Sequence, residues 1–466
     1  MSTLATGCRT GTSDHRSQGR QALVAALIAL PLLAGCHARL TGVATHTPVW
    51  PGVALQSDPV LDASLADTPL EVAAPGTDLT TPAMRRLILE RHPAVRAARF
   101  GLAEVEARTR TVGRWPNPEL EGRVISVEGA AEIEGALRFA LPIGGRLGAA
   151  GRGARLEVEQ ARAELVAASH AALLELDGLL TELSWARDRL SLQEELAVRS
   201  GQYAELARKR RATAVADPLD VSLVLLDAAR DRRAVIRGRN AVATLEGQVR
   251  LLLGLEPGQQ QIAASSLSPP QLDVEVDALH ELATQHSAAW IRARFEYERA
   301  EWTATAAARA RIPDLVIGPA VAGTADELSL GVAFGVALPV FTSGSSTYRA
   351  ARAQRDAAHD ALLATARDAQ VTIETRLARF VSLGTELGEL TGEAVAAASE
   401  AFTLAQERYA AGQMDVLRLL SAHRGYADLQ LEILDLLRAQ WDALYELEEA
   451  AGWPLRAPAA ARIEGR

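Results

Sequence analysis

The chain repeats itself, and the repeat constrains its fold more than any single motif does. "RHPAVRAARFGLAEVEARTR" from position 91 recurs as "QHSAAWIRARFEYERAEWTA" from 285, an offset of about 195 residues. "NPELEGRV" from 117 recurs as "IPDLVIGP" from 312, and "RFALPIGGRLGAAGRGARLEVEQARAEL" from 138 is echoed by "GVALPVFTSGSSTYRAARAQRDAAHDAL" from 335. The repeat settles how the glycine run Gly144, Gly145, Gly148, Gly151 and Gly153 is to be read. A phosphate loop uses glycine to let a phosphate approach the backbone at a helix start. Here there is no GxxxxGK[ST], the nearby cations are only Arg146 and Arg152, and the second copy reads Phe341-Thr342-Ser343-Gly344-Ser345-Ser346. What both copies keep is Leu-Pro, a small flexible turn and a long Ala/Arg/Glu helix, so the run is a strand-to-helix turn, with Pro142 and Pro339 ending the strands.

Each copy has the same plan. A helix near 79–114 leads through Trp115-Pro116-Asn117-Pro118 into two short segments, 119–127 and 132–141; in the second copy these are 314–322 and 327–338. Leu328, Leu330, Val332, Phe334, Val336 and Leu338 alternate with Ser329, Gly331, Ala333, Gly335 and Ala337, the period of a strand with one greasy face. Ile133, Leu137, Phe139 and Leu141 alternate likewise with Glu132, Glu134 and Arg138. Beyond each strand pair the helices are long. No proline interrupts Leu147 to about Arg211, a reach of roughly 100 Å. Apolar stripes mark packing seams: Leu173, Leu176, Leu180, Leu183 and Leu190 in the first copy; Ile373, Leu377, Phe380 and Leu387, then Leu429, Ile433, Leu437, Leu444 and Leu447, in the second. After "ATAVADPLD" at 212 and "YAAGQMDVL" at 409 the chain turns back, giving antiparallel helix pairs. The fold class expected is mainly α with a small β part. Its organisation is a first repeat over 79–255, a linker over 256–275, a second repeat over 276–455 and a tail over 456–466.

The N-terminus reads as an export signal. Arg9, His15, Arg16 and Arg20 precede the apolar run Ala22 to Leu33, too short to span a membrane. It closes with Leu33-Ala34-Gly35-Cys36, which resembles the lipobox of bacterial lipoproteins, so 1–35 is expected to be cleaved and Cys36 acylated. Once Cys8 leaves with the signal, no intrachain disulfide can form. His37, not Asp, follows Cys36, which by the same resemblance favours the outer membrane. The proline-rich stretch 36–78 reads as an acylated tether.

Composition closes off other classes. A net charge of -9 argues against nucleic-acid binding, and Arg208 to Arg211 read as a solvated helix end. His280 and His286 are six apart, on different faces of a helix, and lack zinc-binding geometry. There is no nucleophile elbow and no Cys/His constellation, so neither an enzyme nor a cofactor or metal site is expected. The closing "IEGR" lies outside the fold.

Four strands of this length suit a tilted membrane crossing, yet a closed barrel needs roughly eight or more. Unpaired N–H and C=O groups in lipid cost several kcal/mol each, so such a chain must share a barrel with other copies. "RHPAVRAA", "WPNPELE", "ALPIGGR" with its echo "ALPVFTSG", "ERYAAGQMDVLRLLSAHRGYADLQLE" and "LYELEEAAGWPL", in that order, resemble the TolC-like outer membrane efflux proteins over about 79–455. The resemblance implies a homotrimer in the outer membrane of a Gram-negative bacterium. Its long helix pairs would form an α-barrel in the periplasm, and four strands per chain would contribute to a shared transmembrane β-barrel. It implies a periplasmic adaptor (membrane fusion) protein and an inner-membrane pump, proton-driven, as partners, outer membrane lipid around the barrel, and a passive exit duct for drugs or metal ions. Arg408, Tyr409 and Gly412 match the family's adaptor-docking tip. At the periplasmic constriction, where the family places acids, this chain has Arg418 and Ser421, with Asp415, Asp220 and Asp227 as nearby substitutes. Two alternatives stay open, a type I protein-secretion duct and a non-channel structural periplasmic lipoprotein.

Overall fold

The computed structural model describes residues 79–456, apart from 128–129, 213–216, 257–261, 264–265, 273, 324–326 and 342. The signal, Cys36 and the tether lie outside the described residues. The first repeat contains α1 (Thr81–Arg91), α2 (Pro93–Thr109), β1 (Glu119–Val127), β2 (Ala130–Leu141), α3 (Arg146–Ala212) and α4 (Pro218–Leu252). The second contains α5 (Val276–His286), α6 (Ala288–Arg309), β3 (Leu315–Gly323), β4 (Leu328–Val336) and α7 (Ser345–Glu389). A π-helical turn, Leu390–Ala394, then leads to α8 (Val395–Ala410) and α9 (Val416–Ala451). Among the described residues no helix is long and apolar enough to cross a membrane.

The single helix expected over 79–114 is two. His92 adopts φ -59° and ψ 128°, outside the helical region, because Pro93 excludes the α conformation from the residue before it. The second copy breaks at Ser287 with nearly the same angles, φ -59° and ψ 125°, although no proline follows. Packing therefore imposes the break. Gly452 caps α9 at φ 68° against this corner, where a Cβ would come within 2.2 Å of the His286 carbonyl oxygen.

The four strands form one antiparallel meander in the order β1-β2-β3-β4. Register aligns the apolar positions across all of them: Phe139 pairs with Ile317 and Ile317 with Phe334, while Val124 pairs with Ile133. Leu120, Leu328, Leu330 and Phe334 on this face are 73 to 83% exposed. The opposite face carries Glu121, Arg123, Ile125, Glu134 and Arg138 on β1 and β2, and Val316 with Ala, Gly and Ser residues on β3 and β4. Gly318 admits β2 at very close range; a Cβ there would meet the Leu137 carbonyl. Beside it Pro319 brings no N–H to the ladder.

Among the helices, α3 runs 67 residues, about 100 Å, and packs along α4, with α9 and α7 making the corresponding pair of the second repeat. The seams fall where the leucine stripes place them: Leu176 and Leu183 are buried with Met84, Ile88 and Val249, and Ile373, Leu444 and Leu447 with Leu279. The two hairpins differ in one respect. Where α3 is continuous, the second repeat is kinked between α7 and α8 at Gly392, with φ -77° and ψ -114°. A π-helical turn is the usual cause of such a kink.

A buried charge cluster ties the end of α9, with Arg456 just beyond it, to the first repeat. Glu448, fully buried, accepts from the Leu455 N–H at 2.9 Å and from the Arg456 guanidinium at 2.9 Å. Arg456 also donates to Asp177 of α3 at 2.9 Å, and Arg85 of α1 reaches the same Asp177 oxygen at 2.7 Å. Beside them Tyr445 bonds Thr181 at 2.5 Å, and burial pushes its hydroxyl up to about 12 against the lowering influence of Arg456 and Thr181. Removing one partner of a buried ion pair leaves the others uncompensated and costs about 3–5 kcal/mol. Arg456→Met is expected to destabilise the helical body by that amount, read as a lower denaturant midpoint by far-UV circular dichroism.

Candidate functional site: the helical tip and the open sheet

Two places carry exposed chemistry, and the long helices join them. At one end both helix hairpins meet around one apolar cluster, in which Tyr203, Ala207, Val224, Phe402, Tyr409, Val416 and Leu419 are buried together. The α8–α9 turn is built by its sequence. Gly412 sits at φ 77°, its N–H bonds the Tyr409 carbonyl at 3.1 Å, and the Gln413 N–H bonds the Arg408 carbonyl at 2.9 Å. This is the glycine-dependent helix ending that satisfies otherwise orphaned carbonyls. Asp415 then starts α9 by accepting from the Arg418 N–H at 2.9 Å, as Asp217 starts α4 by accepting from the Leu219 N–H at 2.8 Å.

The expected docking residues separate here. Arg408 and Gly412 are exposed, whereas Tyr409 is buried, so its ring packs the tip from within. Arg210, expected to be merely solvated with its neighbours, instead reaches across from the first repeat. Its guanidinium donates to the carbonyls of Tyr409 and, at 3.1 Å, Ala410, and lies 4.5 Å over the Tyr409 ring. A cation on the last carbonyls of a helix complements its dipole. Sequence reasoning missed this contact, although a basic run ending one hairpin beside a tyrosine ending the other was its signal. Burial raises the Tyr409 hydroxyl above its ordinary value; Arg210 opposes this and Asp220 adds to it.

The expected constriction residues lie on the first turns of α9 and α4. Arg418 and Ser421 are exposed and one turn apart, on the same side of α9. Asp415 is committed to its helix cap, and Asp220 is half-buried beside Tyr409. Asp227 does not join them: it is buried and paired with Arg424 at 2.7 Å. His280 and His286 are also not free surface groups. His280 faces Glu374 at 3.8 Å, and His286 packs on Trp453 with ring centroids 4.5 Å apart.

At the other end stands the meander, apolar on one face and open at the outer edges of β1 and β4. No family model and no curated protein sequence matches the chain. Solved structures do. A membrane protein from Pseudomonas aeruginosa is 21% identical, with a TM-score of 0.70 over 82% of this chain and 92% of that one. CusC, whose structures concern folding and transmembrane channel formation, is 18% identical, with a TM-score of 0.69 over 81% of this chain and 92% of its own. The outer-membrane channel OprN is 16% identical, with a TM-score of 0.69 over 80% and 90%. The chain shares the fold of these proteins. Within that fold the described residues supply both repeats, the four-stranded sheet and the helical tip.

Gly412 tests the construction of that tip. A left-handed residue bearing a Cβ costs roughly 1–2 kcal/mol. Gly412→Ala is expected to speed proteolysis in the α8–α9 turn several-fold while leaving the far-UV spectrum unchanged.

Proposed function

We propose that the chain is the outer-membrane component of a tripartite efflux system, a passive duct through which small solutes leave the periplasm. The observation that carries this reading is the open sheet at the head of long helix pairs, of which α3 alone runs about 100 Å. One face of that sheet suits lipid, and both of its edges present unpaired backbone groups that lipid does not tolerate. Three copies would supply twelve strands, enough for a closed barrel with a lumen lined by the charged and small residues of the other face. The helix pairs would continue that lumen as an α-barrel. The outer membrane of a Gram-negative bacterium is the site this implies, with Cys36 as the acyl anchor in its lipid.

Partners follow from the same reading. The exposed rim of the tip, Arg408 and Gly412 with Ala410, Ala411 and Gln413, is the surface offered to a periplasmic adaptor protein. The buried Tyr409 gives that rim its shape and makes no contact itself. An inner-membrane pump, proton-driven, would supply the energy. Arg418 and Ser421 would ring the periplasmic constriction, three of each, with Asp220 close behind. A ring of guanidinium groups in a narrow tube repels cations.

Reconstitution of the mature protein in planar bilayers tests both statements. Discrete ion-conducting steps are expected, and Arg418→Ala should raise conductance and shift selectivity toward cations. Absence of any conductance would contradict the duct, and a variant indistinguishable from wild type would remove Arg418 from the constriction.

A further inference from the structure

Behind the tip, where α4 crosses α9, lies a cluster that the duct does not use. Asp227 and Asp231 are four residues apart on α4, hence on one face, and His423 of α9 lies against them. Each of the three places a donor atom within 4.8 Å of the other two. His423 is 2% exposed and Asp227 3%. The His423 Nε2 is 3.2 Å from Asp231 Oδ2. Arg424 donates twice to Asp227 Oδ1, at 3.0 and 2.7 Å, which leaves the second oxygen of that carboxylate, Oδ2, buried with no hydrogen-bond partner among the described residues.

An orphaned carboxylate oxygen at such depth carries a desolvation cost that a structure does not ordinarily leave unmet. Two carboxylates here face one guanidinium and one imidazole. From this geometry we infer that Asp227, Asp231 and His423 form a binding site for a divalent transition ion of the zinc class, which clamps the first repeat to the second. One imidazole nitrogen and two carboxylate oxygens form a borderline donor set, suited to Zn²⁺ and unlike the all-oxygen shells of Ca²⁺ or Mg²⁺. Bonds of about 2.0–2.1 Å in tetrahedral geometry set ligand atoms about 3.3 Å apart, close to the His423–Asp231 spacing. The Asp227 donor lies within 4.8 Å of the other two, so a bound ion would have to draw its free oxygen inward, and the fourth position stays open to water. The rings of Tyr203 and Phe402, with centroids 6.0 and 5.5 Å from that of His423, wall the site in apolar surface and restrain the imidazole. The site lies within one chain, so it stands or falls separately from the shared barrel.

The test uses the untagged, full-length mature protein in detergent, stripped with chelator and titrated with Zn²⁺ by calorimetry. One ion per chain is expected, with affinity falling at least 100-fold in Asp231→Asn and in His423→Gln and unchanged in Asp428→Asn, an exposed position on α9. X-ray absorption of the wild-type zinc-loaded protein provides a readout independent of whether the variants fold. It should show one imidazole and otherwise oxygen ligands at about 2.0–2.2 Å. Binding that survives both substitutions at full affinity, a shell with two or more imidazoles, or no wild-type binding would each overturn the proposal.

Discussion

A four-stranded sheet with one apolar face and two bare edges is the constraint on which the rest of this molecule depends. Backbone N–H and C=O groups need partners wherever water is absent. Within one chain, β2 and β3 are satisfied on both sides while β1 and β4 are satisfied on one. The side chains intensify the demand. Leu328, Leu330, Val332 and Phe334 stand exposed along the terminal strand, and no helix among the described residues covers them. Such an edge in water is an aggregation hazard; in a membrane it is a template for another copy.

The helical body reads as the consequence of that arrangement. Each strand pair is preceded by two shorter helices and followed by a hairpin of long ones, and doing this twice places two hairpins side by side. Contacts between the hairpins are spread along them: an apolar cluster and Arg210 at the tip, Arg424 on Asp227 behind it, Arg189 on Asp435 and Arg438 on Glu182 further along, and the Asp177–Arg456–Glu448 cluster at the other end of α9. The first repeat contributes Arg210 and Asp177, the second contributes the groups they meet. The repeats are therefore unlike in detail because each carries half of a contact with the other.

Much of this was legible in the residues. Alternation placed the four strands to within about two residues, and the leucine stripes named the seams that are buried, because period and burial are the same physical fact. Less accessible was anything that depends on residues far apart in the chain. Arg456 and Asp177 are 279 positions apart, and no local pattern announces their pairing. The break at His92 is written in Pro93, yet the matching break at Ser287 has no sequence mark and comes from packing alone. Tyr409 belongs to a recognisable tip motif, but which way its ring points depends on the opposite hairpin.

The most direct measurement is amide hydrogen exchange, strand by strand, on the protein in lipid bilayers. If identical copies close the sheet, the outward amides of β1 and β4 will be protected to the same degree as those of β2 and β3. Edge amides that exchange at the rate of an open strand, while the inner strands stay protected, would contradict the shared barrel.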